Sequence, residues 1–429
     1  MNALSDSSHA TPAAETPPWT CPYCALLCDH AQVDLADPPR LGGAGCPRAD
    51  SALAHLLPAD NPEATQAWVK GTRASVADAL DVAAQWLSQS RRPLLGGLAT
   101  DVAGARALYR LAACTHAVAD HAHGQALHNA VRAQQDKGTF YTTLSEVLNR
   151  CDLLVCVGTQ PAARYPLFYE RCGIGRTDLP RRHAVYLGAD VDPALPQGEH
   201  VHGEAQAVGA PLARTLSELA ACVRGHVAAD ARVAAWQPLV DRLRAARYPV
   251  FVWEPGMAGP HGELVGEALY RLVAELNVQG RATTLSLGGS EGAYAVNQAW
   301  TWLSGLPLRT EHSPAGLTHD PVRLSGSRLL AQGEVDLLLW VASFQPGLIP
   351  PDTSLPQIIL GRPGLVRPEG DVVFIPVATP GIEAGGHLFR ADGGVVLPLQ
   401  PIRPSSLPTV AEVVEGLLQR LQAHTGAPA

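Results

Sequence analysis

The stretch Asp152-Leu153-Leu154-Val155-Cys156-Val157-Gly158-Thr159-Gln160-Pro161 returns in altered form as Asp336-Leu337-Leu338-Leu339-Trp340-Val341-Ala342-Ser343-Phe344-Gln345-Pro346. In both, an aspartate opens a continuous apolar run, and the run gives way to a loop of small residues that closes on Gln-Pro. An apolar run without polar alternation is what a strand covered on both faces requires, as in a parallel sheet with helices on each side.

Working outward, short runs of the same kind recur at Leu94 to Leu98, Ala184 to Gly188, Val250 to Trp253 and Val372 to Val377. Between them lie amphipathic stretches: Ser75 caps a predicted helix whose Val76, Ala79, Leu80, Ala83 and Leu87 share a face, and helices are expected over Val102 to Cys114, Gly262 to Leu276 and Val410 to Leu421. The alternation gives the fold class as α/β, with a doubly wound parallel sheet. We read the paired stretches as a duplication of Rossmann-like units; two unrelated buried strands that share only composition are the alternative. Ligands in open α/β sheets bind beyond the carboxyl ends of the strands. Gly158, Thr159 and Gln160 are therefore expected to face one crevice together with Ser343 and Gln345.

The chain has 429 residues, which suits more than one structural unit, and 46% hydrophobic residues, which is ordinary for a globular protein. Its net charge is −8, its only lysines are Lys70 and Lys137, and no basic patch exists, so a nucleic-acid surface is excluded on electrostatic grounds. No apolar run is long enough to span a membrane, and residues 1–18 contain acidic side chains and no apolar core, unlike a secretory signal. They read as a disordered leader, and the cytoplasm is the expected location.

Residues 19–60 are different in kind. Cys21-Pro22-Tyr23-Cys24-Ala25-Leu26-Leu27-Cys28 places three thiols on one short loop, and Cys46 follows after a turn-rich excursion in Gly45-Cys46-Pro47. Three close thiols and a remote fourth suit an iron–sulfur cluster of the 4Fe-4S type, with structural zinc or four unligated thiols as alternatives. The zone has too few apolar residues for a core of its own, so a bound metal or a partner is expected to help hold it. Residues 61–429 form the α/β core. Cys114, Cys156, Cys172 and Cys222 read as packed hydrophobes, and Cys151 shows no partner. His116, His121, His123 and His128 fall close together but lack the offsets of a zinc site. Gly288-Gly289-Ser290-Glu291-Gly292 is either an anion cradle or an ordinary strand-to-helix turn. The glycines after Glu383 allow close approach of a ligand or partner.

The cysteine spacing and the succession of Rossmann-like units resemble the molybdopterin-dependent oxidoreductases. Asn149-Arg150-Cys151-Asp152, Asn297-Gln298-Ala299-Trp300-Thr301-Trp302-Leu303-Ser304-Gly305 and Thr379-Pro380-Gly381-Ile382-Glu383-Ala384 narrow the resemblance to the B-type chain of formylmethanofuran dehydrogenase. In that family this chain carries a 4Fe-4S cluster and a tungsten or molybdenum ion held by two pterins. The resemblance places Cys21, Cys24, Cys28 and Cys46 on the cluster. It places Arg48, Gly158, Thr159, Gln160, Gly288, Gly289, Ser343 and Gln345 along a vestigial pterin crevice. In Asp120-His121-Ala122-His123-Gly124, His123 matches the family, but Ala122 stands where a cysteine would ligate the metal, and Gly288 stands where an active-site arginine is expected. Arg48 replaces a lysine that lies between cluster and pterin. The resemblance thus implies that the metal–pterin site is lost, in the manner of the bacterial formyltransferase/hydrolase complexes. There the expected partners are A-, C- and D-type subunits, and a formyl group from tetrahydromethanopterin is passed to a methanofuran-type carrier and released as formate. The competing expectation is an active tungsten or molybdenum dehydrogenase subunit.

Overall fold

The computed structural model describes residues 18–42, 45–58, 61–226, 234–259 and 261–425, so the expected leader lies, but for Pro18, outside the described residues. Two sheets organise the chain. A five-stranded sheet, parallel throughout, runs in the order Thr283–Ser286, Pro249–Trp253, Leu153–Val157, Arg182–Leu187, Val201–Gln206. A nine-stranded sheet has a parallel centre of Val118–Ala119, Pro93–Ala99, Leu337–Ala342, Gln357–Gly361 and Val372–Pro376. Antiparallel hairpins close both of its sides: Thr310–Ser313 with Gly316–His319, and Ala67–Val69 with Thr72–Ala74. The sequence points to parallel pairing alone; the hairpins escape it because their strands are short and partly polar.

The echoed stretches hold equivalent places, one central strand in each sheet, and every residue of both strands is buried. Their opening aspartates perform the same task. Asp152 accepts the backbone N–H groups of Arg247 (2.8 Å) and Tyr248 (2.9 Å), which lead into the neighbouring strand Pro249–Trp253. Asp336 accepts those of Arg91 (2.8 Å) and Arg92 (3.2 Å), which lead into Pro93–Ala99. Each carboxylate thus sets the register of a parallel neighbour by satisfying amides that the ladder has not yet paired.

Helices cover the sheets as the periodicity predicts. Val76–Gln89 starts at Ser75, whose hydroxyl accepts from Asp78 N, and Val102–Thr115 starts at Asp101, whose carboxylate accepts from Gly104 N at 3.0 Å. Val410–Thr425 packs against both, burying Val410, Val413, Val414, Leu417, Leu418 and Leu421, worth roughly 2 kcal/mol per side chain. On the smaller sheet Gly262–Leu276 packs against Leu212–Val223 and Gly124–Lys137. No described helix is long and apolar enough to cross a membrane. Cys156, Cys172 and Cys222 are buried as expected; Cys114 is not, because it lies on the solvent side of its helix.

The cysteine zone departs from expectation in what holds it. Its residues from Cys21 to Cys28 are all buried, against the rest of the chain. Trp19 Nε1 donates to Gly381 O at 2.7 Å. The buried guanidinium of Arg362 donates to His55 O (2.8 Å), Phe344 O (3.3 Å) and Ala52 O (3.5 Å), capping the helix Pro47–Ala54 at its carbonyl end. Arg403 donates to Leu57 O at 2.8 Å and pairs with Glu383. The core itself is therefore a partner the zone needs. Replacing Arg362 by leucine would strand three carbonyls and should cost about 3 kcal/mol in urea unfolding, with early proteolysis near residues 45–58; a loss under about 1 kcal/mol would contradict this role for the guanidinium.

Candidate functional site

All the parallel strands of one sheet end on the same edge, so the loops after Ala99, Ala119, Ala342 and Gly361 gather in one place. The loops after Val157, Trp253 and Ser286 gather likewise in the other sheet. The cysteine segment meets both groups.

The four thiols line a single cavity of about 300 Å3 together with Leu26, His30, Leu167 and Glu170. Cys21 N donates to Cys28 O at 2.9 Å and Leu27 N to Cys24 O at 3.1 Å, with Leu27 in the left-handed region, which rolls the loop so that its thiols face inward. Cys46 caps the amino end of Pro47–Ala54, where the helix dipole favours negative charge. Burial pushes the Cys21 thiol well up, raises Cys24, and pushes Cys28 up to about 12. Thiolates here thus need a cation beside them. Among the described residues no three His, Cys, Asp or Glu side chains are disposed to hold one metal ion. A tetrahedral zinc site draws its sulfurs to within roughly 4 Å of one another, whereas these thiols surround a cavity.

Beside the cavity, Arg48 joins the parts. Its Nε donates to Tyr23 O (2.7 Å), its Nη1 to Arg164 O (3.2 Å), and its Nη2 lies 3.6 Å from Glu291 Oε1. Glu291 is buried, and Gln345 N donates to its Oε2 at 3.3 Å while Gln345 Nε2 donates to Tyr23 O at 3.1 Å. Burial pushes the Glu291 carboxyl up to about 7, with Arg48 opposing. Its backbone is left-handed (φ 57°), which costs a side-chain-bearing residue about 1 kcal/mol. The turn lies close against its neighbour: a Cβ on Gly292 would sit 2.0 Å from Thr100 O, so only glycine fits there.

The loop bearing Ala122 rests on a bulge at Gly97, where Ala122 N donates to Gly97 O at 3.0 Å. Beneath it Asp120 is buried, 3.4 Å from Arg309 Nε, and accepts Gly326 N at 2.8 Å. His121, in the same loop, is buried too. Its Nε2 faces Glu291 O at 3.1 Å and its Nδ1 accepts His123 N at 2.9 Å, the pattern of a neutral ring protonated on Nε2. Burial pushes its pKa down to about 3, which agrees. Ala122 presents only a methyl group, exposed, and Gly288 lies under Tyr294, whose hydroxyl is 2.9 Å from where a Cβ at 288 would be. A tungsten or molybdenum ion would find neither thiolate nor guanidinium at these two positions, so the residues present do not fit that group.

Several predicted crevice residues are committed elsewhere. Ser343 is sealed inside and donates its hydroxyl to Ala99 O at 2.7 Å, so its side chain is not available to a ligand. Thr159 donates to Glu254, which also pairs with Arg164. Gln160 Nε2 donates to Asp190 O at 3.2 Å. Gly158 is left-handed (φ 61°) and a Cβ there would meet Leu212 Cδ1 at 2.5 Å, which accounts for glycine without a ligand. The Gly288–Gly292 turn aims its own carboxylate inward and so is no anion cradle. Glu383 accepts Thr379 N at 2.8 Å and pairs with Arg403, a structural use. Of the four histidines only His121 and His123 are ring neighbours, at 5.5 Å. Sequence reasoning gave no role to Glu291, Tyr294, Arg164 or Glu254; a charged residue set between left-handed glycines is the one signal that marks any of them.

No protein-family model matches the chain. The B-type chain of the formyltransferase/hydrolase complex Fhc of Methylorubrum extorquens is 32% identical over 367 residues, 83% of this chain and 97% of that protein. The B-type chain of the tungsten-containing formylmethanofuran dehydrogenase 2 of Methanocaldococcus jannaschii is 24% identical, over 87% of this chain and 90% of that protein. Among solved structures, the formyltransferase/hydrolase complex FhcABCD from Methylorubrum extorquens, in complex with methylofuran, contains a similar chain: TM-score 0.72, 30% identity, 84% of this chain and 100% of that one. Acetylene hydratase from Pelobacter acetylenicus, at 10% identity and TM-score 0.62 over 96% of this chain and 70% of that one, shares the fold.

The packing of Tyr294 over Gly288 is open to a double-mutant cycle. Gly288→Ala should cost about 1 kcal/mol alone and nearly nothing in a Tyr294→Phe background; equal costs in both backgrounds would show that the hydroxyl does not fill this space.

Proposed function

The chain belongs to the family of B-type subunits of formyltransferase/hydrolase complexes, and we propose that it works as the B-type scaffold of such an assembly, with A-, C- and D-type partners and without a tungsten– or molybdenum–pterin redox centre. The assembly would carry one-carbon units at the formate oxidation level, moving a formyl group from tetrahydromethanopterin to a methanofuran-type carrier and releasing formate. Transfer and hydrolysis move no electrons, so this reading asks for no tungsten– or molybdenum–pterin redox centre in this chain. The observation that carries the reading is the crevice itself: Ala122 and Gly288 offer no ligand, Tyr294 packs over Gly288, and Arg48 is paired with Glu291. The likeness to tungsten-containing relatives favours the second reading, an active dehydrogenase chain, but the crevice chemistry opposes it.

In the same reading Cys21, Cys24, Cys28 and Cys46 hold a 4Fe-4S cluster. When bound, such a group supplies a one-electron redox site and cross-links the loop to the helix at Pro47. Its iron would neutralise thiolates that burial otherwise disfavours.

Metal and pterin analysis of the native assembly tests both parts. The chain should co-purify with its partner subunits free of stoichiometric tungsten, molybdenum and pterin; finding them would sink the scaffold reading. Anaerobic preparations should carry about four irons per chain, lost on Cys24→Ser; stoichiometric zinc in their place would refute the cluster.

A further inference from the structure

We infer that the crevice between the two sheets contains a binding site for a small carboxylate anion, which the chain fills with its own Glu291. Three segments far apart in sequence converge there. Arg48 comes from the helix after the last cysteine, Gln345 from the loop after a central strand of the larger sheet, and Glu291 from the turn after the edge strand of the smaller one. The Gln345 N–H is bonded to Oε2 at 3.3 Å, and the Arg48 guanidinium faces Oε1 at 3.6 Å as an ion pair, so one oxygen takes a hydrogen bond and the other a positive charge. Arg362 adds positive field from behind.

The backbone shows that the carboxylate is the point of this residue. Position 291 is left-handed, between Gly289 (φ 84°) and Gly292 (φ 70°), where a third glycine would be easier to place. Glutamate carries a conformational penalty there and is 4% exposed. What it provides is an anion for a half-buried guanidinium and an otherwise unpaired backbone donor. A backbone N–H on one oxygen and a guanidinium facing the other suit a carboxylate, whose charge is shared between two oxygens. The inference extends the scaffold reading, since it says how the crevice stays closed without a metal, but it stands on geometry alone. Metal content tests the reading, and carboxylate dependence tests the site.

Glu291→Ala removes the atoms of one acetate. In thermal unfolding of the full chain, in the assembly with which it purifies, that variant should melt at least about 2 °C below the wild type. Sodium acetate should restore the loss saturably, while sodium chloride at equal ionic strength and the neutral isostere acetamide should not. The wild type, its site already filled, should not respond. A folded Glu291→Ala protein without an acetate-specific rise, or an equal rise in the wild type, would overturn the proposal. Should Glu291→Ala not be recovered folded, refolding yield is compared in acetate and chloride, and equal yields overturn it. Glu291→Gln fills the same space without the charge, so it should ignore acetate; a response as large as that of Glu291→Ala would also count against the site.

Discussion

The position of Arg48 decides how this molecule is put together. Two residues after Cys46 and at the start of a helix, its guanidinium reaches Tyr23 O in the cysteine loop, Arg164 O beyond the smaller sheet, and Glu291 after the edge strand of that sheet. A planar fork with several donors can do this where an ammonium could not. Because a buried charge must be partnered, each contact constrains the next. The fork holds the cysteine loop against the smaller sheet, and Gln345, bonded to both Tyr23 O and Glu291, ties in the larger one.

A crevice closed in this way differs in kind from one held open for a ligand. The Glu291 carboxyl faces Arg48, the His121 ring lies against the Glu291 backbone carbonyl, and two hydroxyls on the surrounding loops are already paired. Those two belong to Ser343 and Thr159. Both stand on loops where ligands commonly bind, and both use their hydroxyls within the chain. Under the proposed scaffold role this is the expected outcome: surfaces are kept for assembly, and the interior is made rigid.

The repeated stretch explains why the two sheets can meet at all. Asp152 and Asp336 each align a neighbouring strand at its start, which brings the opposite ends of the strands level. Level strand ends present loops along one edge, and two such edges form a crevice with the cysteine zone as its third wall. Much of this was legible in the sequence. The buried strands, the helices expected over Gly262 to Leu276 and Val410 to Leu421, the cap at Ser75 and the grouping of the four thiols all follow from local pattern. The edge hairpins did not, because short, half-polar strands carry no periodicity. Nor did the burial of His121 or the packing of Tyr294 over Gly288, since neither is a property of neighbours in sequence.

The sequence by itself determined the class of fold and the grouping of four thiols at the front of the chain. These depend on the chemistry and spacing of side chains along the chain. Only the tertiary structure decided that the cysteine zone is clamped by Arg362, Arg403 and Arg48, and that the Glu291 carboxyl is buried between the sheets facing Arg48. The reason is physical: a charge is tolerated in the interior only where partners converge on it, and here those partners lie tens to hundreds of residues away, brought together by the topology of two sheets.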